Sequence, residues 1–251
     1  MMTQNITVYA KWVEDNGGAG NGYDTPGSLN GEDHFAYVVG YPDGTVRPND
    51  NISRAEVTAI FFRLLKPDEI RDKNLTTENS FNDVNVGDWH NASISTMAKL
   101  GIVKGRYADS FVPDAFITRA EFAVICARFD DSGFEVVDNF TDVAGHWAEH
   151  DIHEAAAHGW IRGYEDGTFK PDQFITRAEA MTMINRVLNR VPESADDLLA
   201  EMINWPDNSD KSAWYYLAVQ EATNSHDYKM KNHIYEKWTA LREVADWTKY
   251  E

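Results

Sequence analysis

Apolar positions along this chain recur with helical spacing in three matching stretches. Val57, Ile60, Phe61 and Leu64 fall at i, i+3, i+4 and i+7, as do Phe122, Ile125, Cys126 and Phe129, and again Ala180, Met183, Ile184 and Val187. Such spacing lays one apolar stripe along an α-helix. A shorter helical pattern precedes two of them, through Trp89, Ile94, Met97 and Ala98 and through Trp147, Ile152, Ala155 and Ala156, with Gly101 and Gly159 placed to end it. Between the two patterns lies turn chemistry followed by a short extended run. Residues 140–188 therefore read as one complete unit: helix, glycine turn, extended run, helix. Residues 81–129 form a second copy, and 30–65 hold only the back half of a third. Self-similarity of this kind decides the fold before any single residue does.

The missing front half is found far downstream, within 204–226. Trp205-Pro206-Asp207 is followed by Trp214 and Val219, and the offset from Trp to the aliphatic matches Trp89 to Ile94 and Trp147 to Ile152. A lone unit cannot bury its own apolar faces, so repeat units close on one another. The expected fold is mainly α: a pseudo-threefold bundle spanning 30–226, with one repeat split between 30–65 and 204–226. Upstream, 1–13 contain the strand-like run Ile6–Val13, and 14–29 are rich in Gly, Asn and Asp and read as a flexible linker. Downstream, Tyr235, Trp238, Leu241 and Trp247 predict a helical extension over 227–251, with an aromatic face on the bundle.

Ile117-Thr-Arg-Ala-Glu121 recurs at 175–179, and as ISRAE at 52–56. Thr or Ser followed three residues later by Glu is a capping box, in which each side chain satisfies an orphan backbone N–H at the helix N-terminus. The arginines in it, Arg54, Arg119 and Arg177, are different. They stand in the first helical turn, where the dipole disfavours a cation. A solvated charge or an ion pair would explain them; so would an anion held between guanidinium and free helix N–H groups. Asp83, Asp142 and Asp207 precede Trp89, Trp147 and Trp214 in the front halves. Aspartate can cap a helix and tryptophan can be core. An exposed aromatic face beside a carboxylate also suits a sugar ring, stacking on its C–H face and accepting its hydroxyls.

The pattern FxDV…HWA…GYxDGTFxP…ITRAE resembles the S-layer homology domain of bacterial surface proteins, over most of residues 30–227. The resemblance implies a three-repeat helical bundle whose inter-repeat grooves bind pyruvylated secondary cell-wall polysaccharide and anchor exported proteins to Gram-positive envelopes. It implies that Arg54, Arg119 and Arg177 hold the pyruvyl carboxylate. The three Asp and three Trp would line the grooves, with Gly44 and Gly167 at their turns. The second copy departs from the pattern, with Asp109 where the others have Gly44 and Gly167, and Ser53 replaces Thr in the first. Residues 1–13 resemble the closing strand of small β-rich repeats of bacterial surface proteins, so an export signal is expected upstream.

Charge sharpens this picture. The chain has 251 residues with 41 acidic against 23 basic side chains, a formal net charge of −18. That disfavours nucleic acid, whose affinity rests on neutralised phosphates, and any anionic ligand requires locally grouped cations. One cysteine, Cys126, permits no internal disulfide and sits on an apolar helix face. No apolar run is long enough to span a membrane. His146 and His150 stand at i, i+4, a possible zinc pair, but the other copies offer no counterpart, and no nucleophile elbow or phosphate loop is visible. No catalytic residue, metal or cofactor is assigned, and the module is expected to be monomeric. The competing readings are a protein–protein module for lattice assembly and an accessory module of a cell-wall glycoside hydrolase.

Overall fold

The computed structural model describes residues 25–130 and 140–251; the strand-like run in 1–13 and most of the expected linker lie outside them. Seven helices and one two-stranded sheet make up the described chain. Each complete copy supplies a front helix and a back helix: α3 (Asn91–Lys99) with α4 (Arg119–Ala127), and α5 (Glu149–Ala157) with α6 (Arg177–Val187). The split copy supplies α1 (Arg54–Leu64) at one end and α7 (Tyr216–Thr223) at the other, while α2 (Asp72–Asn74) is a single turn in the connector. All three back helices start at the anticipated capping boxes, Ser53/Glu56, Thr118/Glu121 and Thr176/Glu179, with both halves of each box formed.

The two pieces of the split repeat meet. The N–H groups of Tyr37 and Val38 donate to the Ala222 carbonyl, and the Asp207 carboxylate accepts from the N–H groups of Val46 and Arg47. α7 packs on α6, with the Asn185 side chain donating to the Ala218 carbonyl. Gly40 owes its identity to this seam. The Trp205 ring lies where a Cβ would stand, as the Phe81 ring does at Gly105 and the Phe140 ring at Gly163.

The three isoleucines preceding the capping boxes join the copies at the centre. Ile117 donates its N–H to the Ile52 carbonyl, Ile52 to Ile175, and Ile175 to Ile117, at 3.1–3.2 Å. All three side chains are buried, continuous with a core of Phe61, Phe122, Ile94, Ile152, Val219 and Ile184. Cys126 lies in this core, where burial pushes its thiol up and away from reactivity.

Two expectations need correction. The end of the expected linker is anchored: Leu29 is buried and bridged to Leu65, and Lys66 donates its N–H to the Ser28 carbonyl. The C-terminal stretch is not a helix. It forms a hairpin of β1 (His226–Met230) and β2 (Glu236–Leu241), followed by a short turn at Thr248–Tyr250. The i, i+3 spacing of Tyr235, Trp238 and Leu241 imitates a helix, but in β2 burial alternates, with Glu236 and Trp238 inward and Lys237 outward.

Candidate functional site

The three motif arginines are buried at the seams between copies, and each reaches the next copy in one direction. Arg54 Nε donates to the Phe111 carbonyl and one terminal nitrogen to that of Lys104, at 3.0 and 2.9 Å; the other meets Glu121 at 2.8 Å. Arg119 donates to the carbonyls of Phe169 and Arg162 at 2.7 and 2.8 Å, with Glu179 at 3.8 Å. Arg177 donates to the Val46 carbonyl at 2.9 Å and to Glu56 at 2.6 Å. The glutamate in each case is the capping-box residue of the next copy. Its second oxygen accepts the N-cap N–H of its own helix. One carboxylate thus starts a helix and receives a neighbour's guanidinium, a double task the capping-box spacing alone does not reveal.

The free helix N–H groups of the anion argument are not free. The first N–H of each back helix is taken by a neighbouring copy: Arg54 by the Ala115 carbonyl, Arg119 by Gln173 and Arg177 by Asp50. The aspartates also have structural work. Asp83 accepts from the N–H groups of Phe111 and Val112, Asp142 from Phe169 and Lys170, and Asp207 from Val46 and Arg47. The second residue of each pair, Arg47, Val112 or Lys170, has φ of 51–60°. A charge-assisted bond to its N–H holds a backbone conformation that side chains disfavour. Burial opposes ionisation of Asp83, yet hydrogen bonds from Ser110, Phe111 and Val112 prevail and hold its carboxyl below the usual range. Gly44 and Gly167 take φ of 79° in their turns; Asp109 in the second copy does without a positive φ, its turn closed by a bridge between Tyr107 and Ser110.

The tryptophans point outward. Trp89, Trp147 and Trp214 are 43%, 66% and 40% exposed, while the aliphatics five residues on, Ile94, Ile152 and Val219, are fully buried. Trp147 borders a groove of about 520 Å³ where three copies meet, lined also by Arg54, Lys104, Arg106, Arg128, Glu121 and Asp172. Four cations face two carboxylates there, in a chain of net −18. Arg106 is a site residue that motif reading passed over. It stands after Gly105 where the other copies carry Tyr41 and Tyr164, and it forks onto Glu121 at 2.8–3.1 Å. Arg128 is the second: it follows the motif arginine of its helix at the same interval as Arg63 and Arg186 do.

The corresponding place beside Arg119 is also cationic. Burial, with Arg162 and Arg119 close by, pushes the Arg186 guanidinium down to about 10, and the Tyr164 ring covers Arg119 at 4.9 Å. The place beside Arg177 differs. Tyr41 covers the guanidinium at 4.9 Å as Tyr164 does Arg119, but here Trp247, Tyr250 and Glu251 line only a small space with Arg63 and Trp89. His146 faces Asp172 at 3.3 Å, and its Nδ1 accepts the Ala148 N–H.

The profile of the S-layer homology domain matches residues 36–58, 80–123 and 139–181. The chain is 35% identical to "Cell surface glycoprotein 1" of Acetivibrio thermocellus over 88% of its own length and 10% of that protein's. It is also 35% identical to a "Cellulosome-anchoring protein" of the same organism, over 82% of this chain and 46% of that one. An "Amylopullulanase" of Thermoanaerobacterium thermosulfurigenes is 30% identical over 61% of this chain and 8% of the enzyme. The chain thus spans less than half the length of each of these relatives.

Proposed function

Because the chain belongs to the S-layer homology family, we propose that it is a non-covalent cell-wall anchoring module whose grooves bind an anionic wall glycan, pyruvylated secondary cell-wall polysaccharide, at the surface of a Gram-positive bacterium. The observation that carries this reading is the groove beside Arg54, where grouped cations and an exposed indole face open space in an otherwise strongly acidic protein. Lys104, Arg106 and Arg128 attract the carboxylate of a pyruvyl ketal, Trp147 stacks on a sugar ring, and Asp172 accepts hydroxyls. Arg54 presents its guanidinium from the floor while its bonds to Phe111, Lys104 and Glu121 hold it in place. The copies are read as a pseudo-threefold bundle, so related grooves offer a polymer more than one foothold, and modest contacts add through avidity.

Names of relatives that describe surface and anchoring proteins support this placement, and the amylopullulanase supports an accessory role beside a hydrolase in some longer chains. Catalysis is assigned to no residue of this module. The test is retention by purified wall polysaccharide before and after removal of its pyruvyl groups. Retention lost with the pyruvyl groups supports the reading; equal retention of both forms overturns it.

A further inference from the structure

Away from the grooves, four ionisable side chains converge in a fully buried cluster behind the split repeat. His34 comes from the start of the split copy's N-terminal piece, Glu221 from α7, His226 from β1 and Glu236 from β2. Their facing atoms are His34 Nδ1, His226 Nε2 and the Oε1 atoms of Glu221 and Glu236. The two nitrogens are 3.2 Å apart. His34 Nδ1 lies 3.5 and 3.4 Å from the two oxygens, and His226 Nε2 lies 3.3 Å from each. The two oxygens lie within 4.8 Å of one another.

Five of these six separations, at 3.2–3.5 Å, match the edges of a tetrahedron. Ligands about 2.0–2.2 Å from a four-coordinate Zn²⁺ stand roughly 3.3–3.6 Å from one another. From this agreement we propose that His34, Glu221, His226 and Glu236 form a closed structural Zn²⁺ site that staples the two ends of the split repeat.

The chemistry of the donors supports it. His226 Nδ1 lies 2.9 Å from the Asn224 carbonyl, which only accepts. Nδ1 therefore carries the proton and Nε2 offers a lone pair to the centre, the arrangement by which outer partners orient a metal-binding imidazole. Trp238 Nε1–H donates to Glu221 Oε2 at 2.9 Å, leaving Oε1 buried and without a hydrogen bond. Two imidazole rings are clamped by stacking, His34 on Tyr228 and His226 on Trp238, at 3.8 and 4.0 Å. Arg190, also buried, holds the His34 segment by donating to the carbonyls of Asn30 and Asp33. The two carboxylates offset the two charges of a dication, as a site shut off from water requires. Four protein ligands leave no open position, so the ion is structural.

Its position gives the site a purpose. Without it, the segment around His34, the end of α7 and the hairpin are joined by backbone bonds such as His226 N–H to the His34 carbonyl. With it, one ion ties all four elements. The test is metal analysis of the full chain after exhaustive dialysis in metal-free buffer, followed by titration with Zn²⁺ alone. The expected result is one Zn²⁺ per chain, and removal by a strong chelator that lowers Tm. Restoring Zn²⁺ a hundredfold above its Kd should raise Tm by roughly 5–10 °C. Co²⁺ taken up in its place should show the strong visible bands of a four-coordinate ion. Glu236→Gln, which preserves shape, should abolish stoichiometric binding. A wild-type chain that holds no stoichiometric Zn²⁺ and whose Tm ignores both chelator and added metal would overturn the proposal, as would a six-coordinate Co²⁺ spectrum. Glycan retention is read separately through the groove beside Arg54, so failure of one proposal leaves the other standing.

Discussion

The grooves beside Arg54 and Arg177 are built from the same motif and have come to opposite ends. In both, a buried arginine bonds a turn carbonyl and the capping-box glutamate of the next copy. Beside Arg54 the turn carries Lys104 and Arg106, and Trp147 stands open to solvent. Beside Arg177 the matching positions are Val39 and Tyr41, and the C-terminal Trp247 and Glu251 contact Arg63 and, with Tyr250, narrow the space beside Trp89. The difference teaches that the arginine is a seam residue first. What leaves a groove open is the variable ring of side chains around it.

The largest effect should come from breaking what the two grooves share. Arg177→Ala removes the charged partner of Glu56 and the side-chain donor to the Val46 carbonyl, and it should cost about 3 kcal/mol. That is a fall in Tm of roughly 6–12 °C on thermal denaturation. Arg54→Ala should act alike, so loss of glycan retention in either variant reports folding before it reports recognition. Next comes the element that differs. Trp147→Ala should weaken binding of a pyruvylated wall disaccharide about tenfold, roughly 1.4 kcal/mol, by titration calorimetry. Trp89→Ala, beside the small space that the C-terminal tail lines, should change it less than about twofold. Arg106→Tyr gives the second copy the residue of the other two, and it should weaken binding several-fold and flatten its salt dependence.

The smallest effect concerns acid. Asp83 has a lowered folded-state pKa, so its stabilisation is present above the unfolded value of about 3.9 and is lost as pH falls towards the folded one. Urea denaturation at pH 5 and pH 3 should show Asp83→Asn losing less stability across that interval than the parent chain.

Much of this architecture was open to reading from sequence because it rests on local rules. Capping boxes, helical spacing and the offset from Trp214 to Val219 all act over a few residues, and they located the back helices and the two halves of the split copy. Long-range partnerships were closed to it. Nothing near Arg54 announces that its donors end on Phe111, Lys104 and Glu121, so the sequence left the ion pair and the anion-binding cation side by side. The hairpin was mistaken because three bulky residues at i, i+3 fit a helix as well as a strand with an outward Leu241. Glu236 and His226 gave no signal at all. One partner, His34, stands 192 residues before His226 and the other, Glu221, on α7 just ahead of the hairpin, and a buried carboxylate in an edge hairpin makes sense only once they meet.

The guanidinium contacts have a direction: first copy to second, second to third, third to first. A circuit of one-way links has no terminal member. Delete one copy and the remainder keeps an unmet donor on one flank and an unmet acceptor on the other, facing apart. Such a domain cannot be shortened by a unit without opening both flanks, and a copy whose groove is filled still serves as a link.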